Sequence, residues 1–280
     1  MASADITKQL ARTTKGGYYR ALYRAQDIGL LPAETGYTRF LCISTARTGS
    51  TLLIRSLNKH KNVIAYGEIV RNQDRFPSHI HQFAGSQTLF EEDPRAFLET
   101  RVFRKYPKSI KAVGFKIFYH HAPRDEAWGR EVWDYLLSQP ELRIIHLKRQ
   151  NLLRAYISQL KAEQTSQWIK YDASKTRDAQ VHVDPAAAIG FFEEGRALEA
   201  GCDATLTDHS VLQLYYEDMA DDFQGEMERI QRFLRLEVAD IQPATKQRPG
   251  TPLSGQIENY DELQSALAGT EWESFLEESS

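Results

Sequence analysis

Around position 47 the chain reads Thr45-Ala46-Arg47-Thr48-Gly49-Ser50-Thr51-Leu52. Residues of these types in this order can hold an anion. Arg47 supplies a planar cationic fork for anionic oxygens, Gly49 lets the backbone approach a ligand closely, and Ser50 and Thr51 add hydroxyl donors. If a strand precedes the turn and a helix follows it, its N–H groups converge at a helix N-terminus, a place that attracts phosphate. The nucleotide-triphosphatase loop, G-x-x-x-x-G-K-[ST], is a different pattern. With Gly49 on its second glycine, Ser44 falls on the first glycine and Ser50 on the lysine, and only Thr51 fits. An ATP- or GTP-dependent kinase is therefore disfavoured. From the residues alone two readings of the turn stand open, an anion cradle and a plain helix cap.

No metal is expected. The chain has no H-E-x-x-H, no paired-cysteine site and no Asp-rich loop of cation-binding spacing. His120 and His121 are adjacent, which on a strand points them to opposite faces. His60 and His81 read as surface or core-satisfying residues. Cys42 and Cys202 lie in separate segments and supply neither a disulfide framework nor a metal pair.

The elements that must position the turn are legible from hydrophobic pattern. Arg39 to Ser44 is a short apolar run entering a loop, as in a buried strand, and a helix is expected from Ser50 to about Lys59. Further strands are expected at Asn62 to Ala65, Ile110 to Phe118, Leu142 to Leu147 and Val211 to Tyr216, with Tyr66-Gly67-Glu68 following the second strand. Helical patterns cover 93–106, 125–138, 150–168, 185–200 and 219–235. Strands alternating with helices imply a parallel sheet covered on both faces. Before the first strand, Tyr18, Tyr19, Leu22, Tyr23, Ile28, Leu30 and Leu31 form a helix stripe that Pro32 stops. We read it as a packing helix rather than a membrane or partner helix, although its tyrosines also offer a surface for self-association. The stretches Lys170 to Asp184 and Pro243 to Gln256 read as long loops, either lids or surface connections.

Composition narrows the function classes. The chain has 280 residues, 41% of them hydrophobic, enough for a full core. Its formal charge of −3 comes from 35 basic and 38 acidic residues with no like-charge block, unlike a general nucleic-acid binder. No apolar run approaches the ~20 residues that span a bilayer, and Met1 to Leu10 lacks the apolar centre of a signal peptide. A cytoplasmic protein is expected, with at most peripheral membrane contact.

Several separated segments, in order, resemble the sulfotransferases that take a sulfuryl group from 3′-phosphoadenosine 5′-phosphosulfate (PAPS). Within that superfamily the likeness is to the bacterial carbohydrate branch, which includes nodulation-factor and trehalose sulfotransferases. The grounds are Ala46-Arg47-Thr48-Gly49-Ser50, His60-Lys61-Asn62-Val63 leading to Gly67-Glu68, and Val113-Gly114-Phe115-Lys116. They continue with Leu147-Lys148-Arg149-Gln150-Asn151 through Ser158, Glu163 to Trp168, and the tail from Leu253 to Leu263 with Ile257, Asn259 and Glu262. The likeness runs from residue 39 to about 275.

The resemblance implies a P-loop-like three-layer α/β fold, with a central parallel sheet flanked by helices, over residues 38–280, after a helical leader at 1–37. It assigns Arg47, Thr48, Gly49, Ser50 and Thr51 to the donor's 5′-phosphosulfate, and Arg149 and Ser158 to its 3′-phosphate. Lys246 and Arg248 would close over the nucleotide. Glu68 would be the base for the attacking hydroxyl, Lys116 a second cation near the moving sulfuryl group, and Gln164 and Trp168 part of an acceptor cleft, an aromatic face suiting a sugar ring. There are departures. Arg149 precedes Ser158 by nine residues rather than the eight usual in cytosolic arylsulfotransferases, leaving open which basic residue near 149 meets the 3′-phosphate. Those enzymes also carry Lys where this chain has Arg47, and use a base His after the Lys-bearing strand, which His120 and His121 follow at a different spacing from Lys116. The expected reaction is sulfuryl transfer from PAPS to a hydroxyl of a carbohydrate, glycolipid or other small molecule, without metal, leaving adenosine 3′,5′-bisphosphate. A small-molecule kinase and a non-catalytic nucleotide-binding module are the alternatives.

Overall fold

The computed structural model describes residues 21–71, 77, 80–165, 180–244 and 252–277. Five strands form one sheet in the order β2-β3-β1-β4-β5, all neighbours parallel: β1 (Thr38–Ser44), β2 (Val63–Glu68), β3 (Ala112–Phe118), β4 (Arg143–Lys148) and β5 (Ser210–Tyr215). The central strand is the anion-turn strand, and Phe40 to Ile43 are fully buried. Alternation along the pleat sorts its side chains between two cores. Leu41 and Ile43 join Phe115, Ile117 and Ile144 on one face, whereas Phe40 and Cys42 join Leu53, Leu57, Ile145 and Leu147 on the other. Gly114 has no side chain because the Phe40 ring occupies that space.

The helices follow the expected alternation with local corrections. A helix seen over 21–27 (α1) ends at Gly29, φ 78°, before Pro32 is reached. Arg104 fastens it, donating to Gln26 Oε1 at 2.9 Å and Asp27 Oδ1 at 2.8 Å. α2 (Ser50–Leu57) follows β1, and α3 (Gln87–Glu92) was not anticipated. The 93–106 pattern is shorter than expected: α4 (Pro94–Phe97), started by the Asp93 cap, passes into a π turn at Leu98–Val102, and Tyr106 instead bridges Glu34. α5 (Ala127–Leu137), α6 (Leu152–Thr165) and α7 (Pro185–Thr205) are near expectation. The 219–235 pattern divides into α8 (Tyr216–Asp221) and α9 (Phe223–Phe233), because the Asp222 side chain caps a new start on the N–H of Gly225. Tyr216 thus opens a helix rather than ending a strand.

Within the expected C-terminal loop, Leu253–Gly255 is a 3₁₀ turn, and α10 (Tyr260–Leu267) follows it. The tail residues of the resemblance are structural here. Ile257 is buried and bridges Val181, while Asn259 bonds both Val183 N and Val183 O at 2.9 Å. A third core joins Leu153 and Ile157 of α6 to Phe192 of α7, Leu263 of α10 and Trp272 and Phe275 beyond it. Tyr18, Tyr19, Trp168, Lys246, Arg248 and most of the 170–184 stretch lie outside the described residues.

Candidate functional site

Ligands of parallel α/β sheets bind outside the carboxyl ends of the strands, and most of the expected residues among those described meet there. The turn after β1 carries Arg47 at φ 64° and Gly49 at φ 82°. Left-handed backbone at an arginine costs free energy, and such outliers cluster at functional sites. A Cβ at Gly49 would collide with the ring of Tyr216, so only glycine lets α8 close on the turn. Gly49 is also the N-cap of α2, which receives no side-chain cap and has no acidic residue in its first turn. Thr48 Oγ1 donates back to Thr45 O at 2.9 Å and braces the turn from within.

Behind the turn lies a charged pair. Lys116 Nζ is 3.0 Å from Glu68 Oε1, 2.9 Å from Thr51 Oγ1 and 3.4 Å from Ser50 Oγ. The lysine side chain is 6% exposed and the glutamate 27%, so the ammonium is shielded and the carboxylate reaches solvent. Their meeting depends on a register shift between Tyr66 and Glu68. Regular pairing from Tyr66 opposite Phe115 would set Gly67 against Lys116, but the irregularity sets Glu68 there instead. Glu68 is thus the last residue of β2, which runs three residues past the Ala65 end expected for that strand.

The second cradle differs from the arrangement the resemblance implies. Arg47 donates to Ser158 Oγ from Nε at 2.9 Å and from Nη2 at 2.7 Å, so the first turn and α6 touch directly. Arg149 Nη1 donates to the Arg47 carbonyl at 2.7 Å, and its guanidinium lies 4.7 Å from the Tyr216 ring centroid. Burial pulls the pKa values of Arg47 and Arg149 below the usual guanidinium range. Glu217 lies beside this arrangement: its Oε2 accepts from Gln150 N at 2.9 Å, its Oε1 accepts from Asn151 N at 3.3 Å, and it sits 3.7 Å from Arg149 Nε. Lys148, the other basic candidate, faces the opposite side of the sheet, 2.6 Å from Asp203 Oδ2.

Of the remaining expectations, Gln164 is exposed on the last turn of α6, away from the charged pair in sequence and without a described contact to it. His60 is a core residue with both ring nitrogens engaged, by Glu237 O at 3.1 Å and Asn62 N at 3.2 Å. His120 and His121 sit in a turn rather than on a strand, their ring centroids 4.7 Å apart. Burial pushes both thiols up to about 12, making Cys42 and Cys202 unreactive. Among the described residues no group of three or more His, Cys, Asp or Glu could hold a metal ion, and no helix is long and apolar enough to cross a membrane. Sequence reasoning missed Tyr216 and Glu217. Their signal was positional, an aromatic residue and a carboxylate at the carboxyl end of the fifth strand.

A strand–turn–helix opening at the carboxyl edge of a parallel sheet, lined by Arg, Lys and hydroxyl groups, defines a three-layer, P-loop-like α/β protein. A sequence model of the sulfotransferase family matches residues 40–240, and the chain belongs to that family. It is 25% identical over 246 residues to Nodulation protein H of Rhizobium meliloti strain 1021, covering 85% of this chain and 94% of that one. The identity to Nodulation protein H of Rhizobium tropici is also 25%, over 85% and 92% of the two chains. Among solved structures, a sulfotransferase from Alicyclobacillus acidocaldarius aligns with a TM-score of 0.44 at 14% identity, covering 86% of this chain and 96% of that one. The chain is thus a sulfotransferase, and the kinase and non-catalytic alternatives give way.

Proposed function

We propose that this sulfotransferase moves the sulfuryl group of PAPS onto a hydroxyl of a carbohydrate or glycolipid acceptor. The observation that carries the reading is the uncapped α2 N-terminus, where the Ser50 and Thr51 hydroxyls after Gly49 meet Lys116, itself paired with Glu68. An anion at the turn would meet free N–H groups and cations; a proton released beside it would meet a carboxylate. The acceptor class rests on the motif likeness to the carbohydrate branch.

In this reading the acceptor oxygen attacks sulfur as its proton passes to Glu68, and the bond from sulfur to the bridging phosphate oxygen breaks. The electron pair stays with the leaving adenosine 3′,5′-bisphosphate. Arg47 and Lys116 offset the charge that develops on the bridging and phosphate oxygens. Ser158, with Arg149 behind it, binds the 3′-phosphate and orients the donor without entering the bond changes. The motif likeness alone assigns Lys246 and Arg248 to the nucleotide and Gln164 with Trp168 to the acceptor. Thermal shift with adenosine 3′,5′-bisphosphate against magnesium-ATP tests the donor class, because a ligand of the folded state raises its stability by mass action. Stabilisation by the bisphosphate at micromolar concentration, and much less by ATP, is expected. Equal response to both, or to neither, would refute the donor assignment.

A further inference from the structure

On the sheet face opposite α2, a hydrogen-bonded chain links four elements and has no place in the reaction just described. Tyr119, one residue beyond β3, extends its hydroxyl to 2.5 Å from His146 Nε2 on β4, crossing beneath β1, to which its own N–H is bonded at Ser44 O. His146 Nδ1 is 2.8 Å from Asp203 Oδ1 of α7. The same carboxylate takes Lys148 of β4 at 2.6 Å and Gln213 of β5 at 2.8 Å. His146 is fully buried, whereas the Asp203 side chain is 38% exposed. With Asp203 ionised and held by Lys148, the fitting tautomer carries its proton on Nδ1, leaving Nε2 to accept from Tyr119.

What this chain fixes is the turn behind the charged pair. Phe118 N donates to His121 Nδ1 at 3.3 Å, His121 N donates to Phe118 O at 2.9 Å, and the Phe118 ring centroid is 5.0 Å from Lys116 Nζ. On the far side Trp133 Nε1 holds Ala122 O at 3.0 Å. Tyr119 is the turn's tie to β4, and Asp203 fixes the orientation of the imidazole that receives it.

We propose that Tyr119, His146 and Asp203 are positioning residues that set the 118–122 turn, and through it Lys116, for sulfuryl transfer. The proposal rests on the reading of Lys116 and Glu68 as the reacting pair. The groups facing His146 and Tyr119 are Lys148 from β4, Gln213 from β5, and Glu199, Cys202 and Asp203 from α7. Burial, then Lys148, lowers the His146 pKa against the opposing pull of Asp203, so the neutral form prevails at pH 7.

The test uses the full chain and Tyr119→Phe, which keeps the ring and removes the tie. Release of labelled sulfate from PAPS, into water and onto trehalose as probe acceptor, is followed from pH 5 to 8, alongside the affinity for adenosine 3′,5′-bisphosphate and the ¹⁵N–¹H ring signals of His120 and His121. Expected are a five- to twentyfold loss of turnover at pH 7.5, bisphosphate affinity within twofold of wild type, and displaced His121 signals. Unchanged turnover or unmoved ring signals overturn the proposal. A wild-type chain that binds no bisphosphate defeats the donor reading instead, and the ring signals, which need no donor, then decide this one.

Discussion

The turns after β1 and β4 share a plan, strand end, arginine, helix, but they receive negative charge from different sources. At the first, α2 begins on a bare Gly49 with no side-chain cap, open to an external anion. At the second, Glu217 lies across the N–H groups of Gln150 and Asn151, and Asn151 Oδ1 accepts from Arg154 N at 3.1 Å, so the protein supplies its own oxygens. A basic residue before a helix is therefore insufficient evidence of a phosphate seat; the state of the first N–H groups is what matters. Any ligand of the second cradle must use side chains such as Ser158, further along α6, not its helix start.

The comparison can be broken or sharpened by mutation. The largest effect is expected at the open turn's partner: Glu68→Gln should lower turnover by roughly 10²- to 10³-fold while leaving bisphosphate affinity within about twofold, as loss of a general base does. Full activity in that variant would remove Glu68 from the chemistry. Arg47→Ala should weaken bisphosphate binding by about 30- to 100-fold in calorimetry, the scale of a lost charge-assisted hydrogen bond of ~2–3 kcal/mol. The same loss in Arg149→Ala would show that the two turns contribute alike.

Glu217→Ala should empty the second turn, costing ~1–2 kcal/mol of stability in urea denaturation, and inorganic phosphate should recover part of it, more than it stabilises wild type. No added response to phosphate would mean that turn is no anion seat even when vacant. The effect that is smallest near neutral pH, and that grows only on acidification, is on stability. His121 is buried, and its pKa is lowered to about 3 by burial and then by neighbouring charge, chiefly His120. The unfolded chain therefore binds this proton first, and stability should fall as pH drops from about 6.5 toward about 3, by at most ~1.4 kcal/mol per unit from this group. His121→Asn should flatten that decline.

The sequence made the first turn legible because its chemistry is local, carried by eight consecutive residues between an apolar run and an amphipathic one. The alternation of strands and helices was readable for the same reason. The divided helices at 93–106 and 219–235 were not. A side-chain cap at Asp222 and a π turn at Leu98–Val102 interrupt patterns whose hydrophobic period continues through them.

What the sequence alone determined was the inventory: a glycine-containing turn with a cation and hydroxyls, a parallel sheet to carry it, and the sulfotransferase family. Tertiary structure decided which members of the inventory meet. Ser158 lies 111 residues from Arg47 and holds its guanidinium. A register shift of one residue brings Glu68 to Lys116, and strand alternation turns Lys148 away toward Asp203 while Arg149 supports the first turn. Periodicity in a sequence specifies which face a residue takes; pairing register and helix docking, set by long-range packing, specify what it faces.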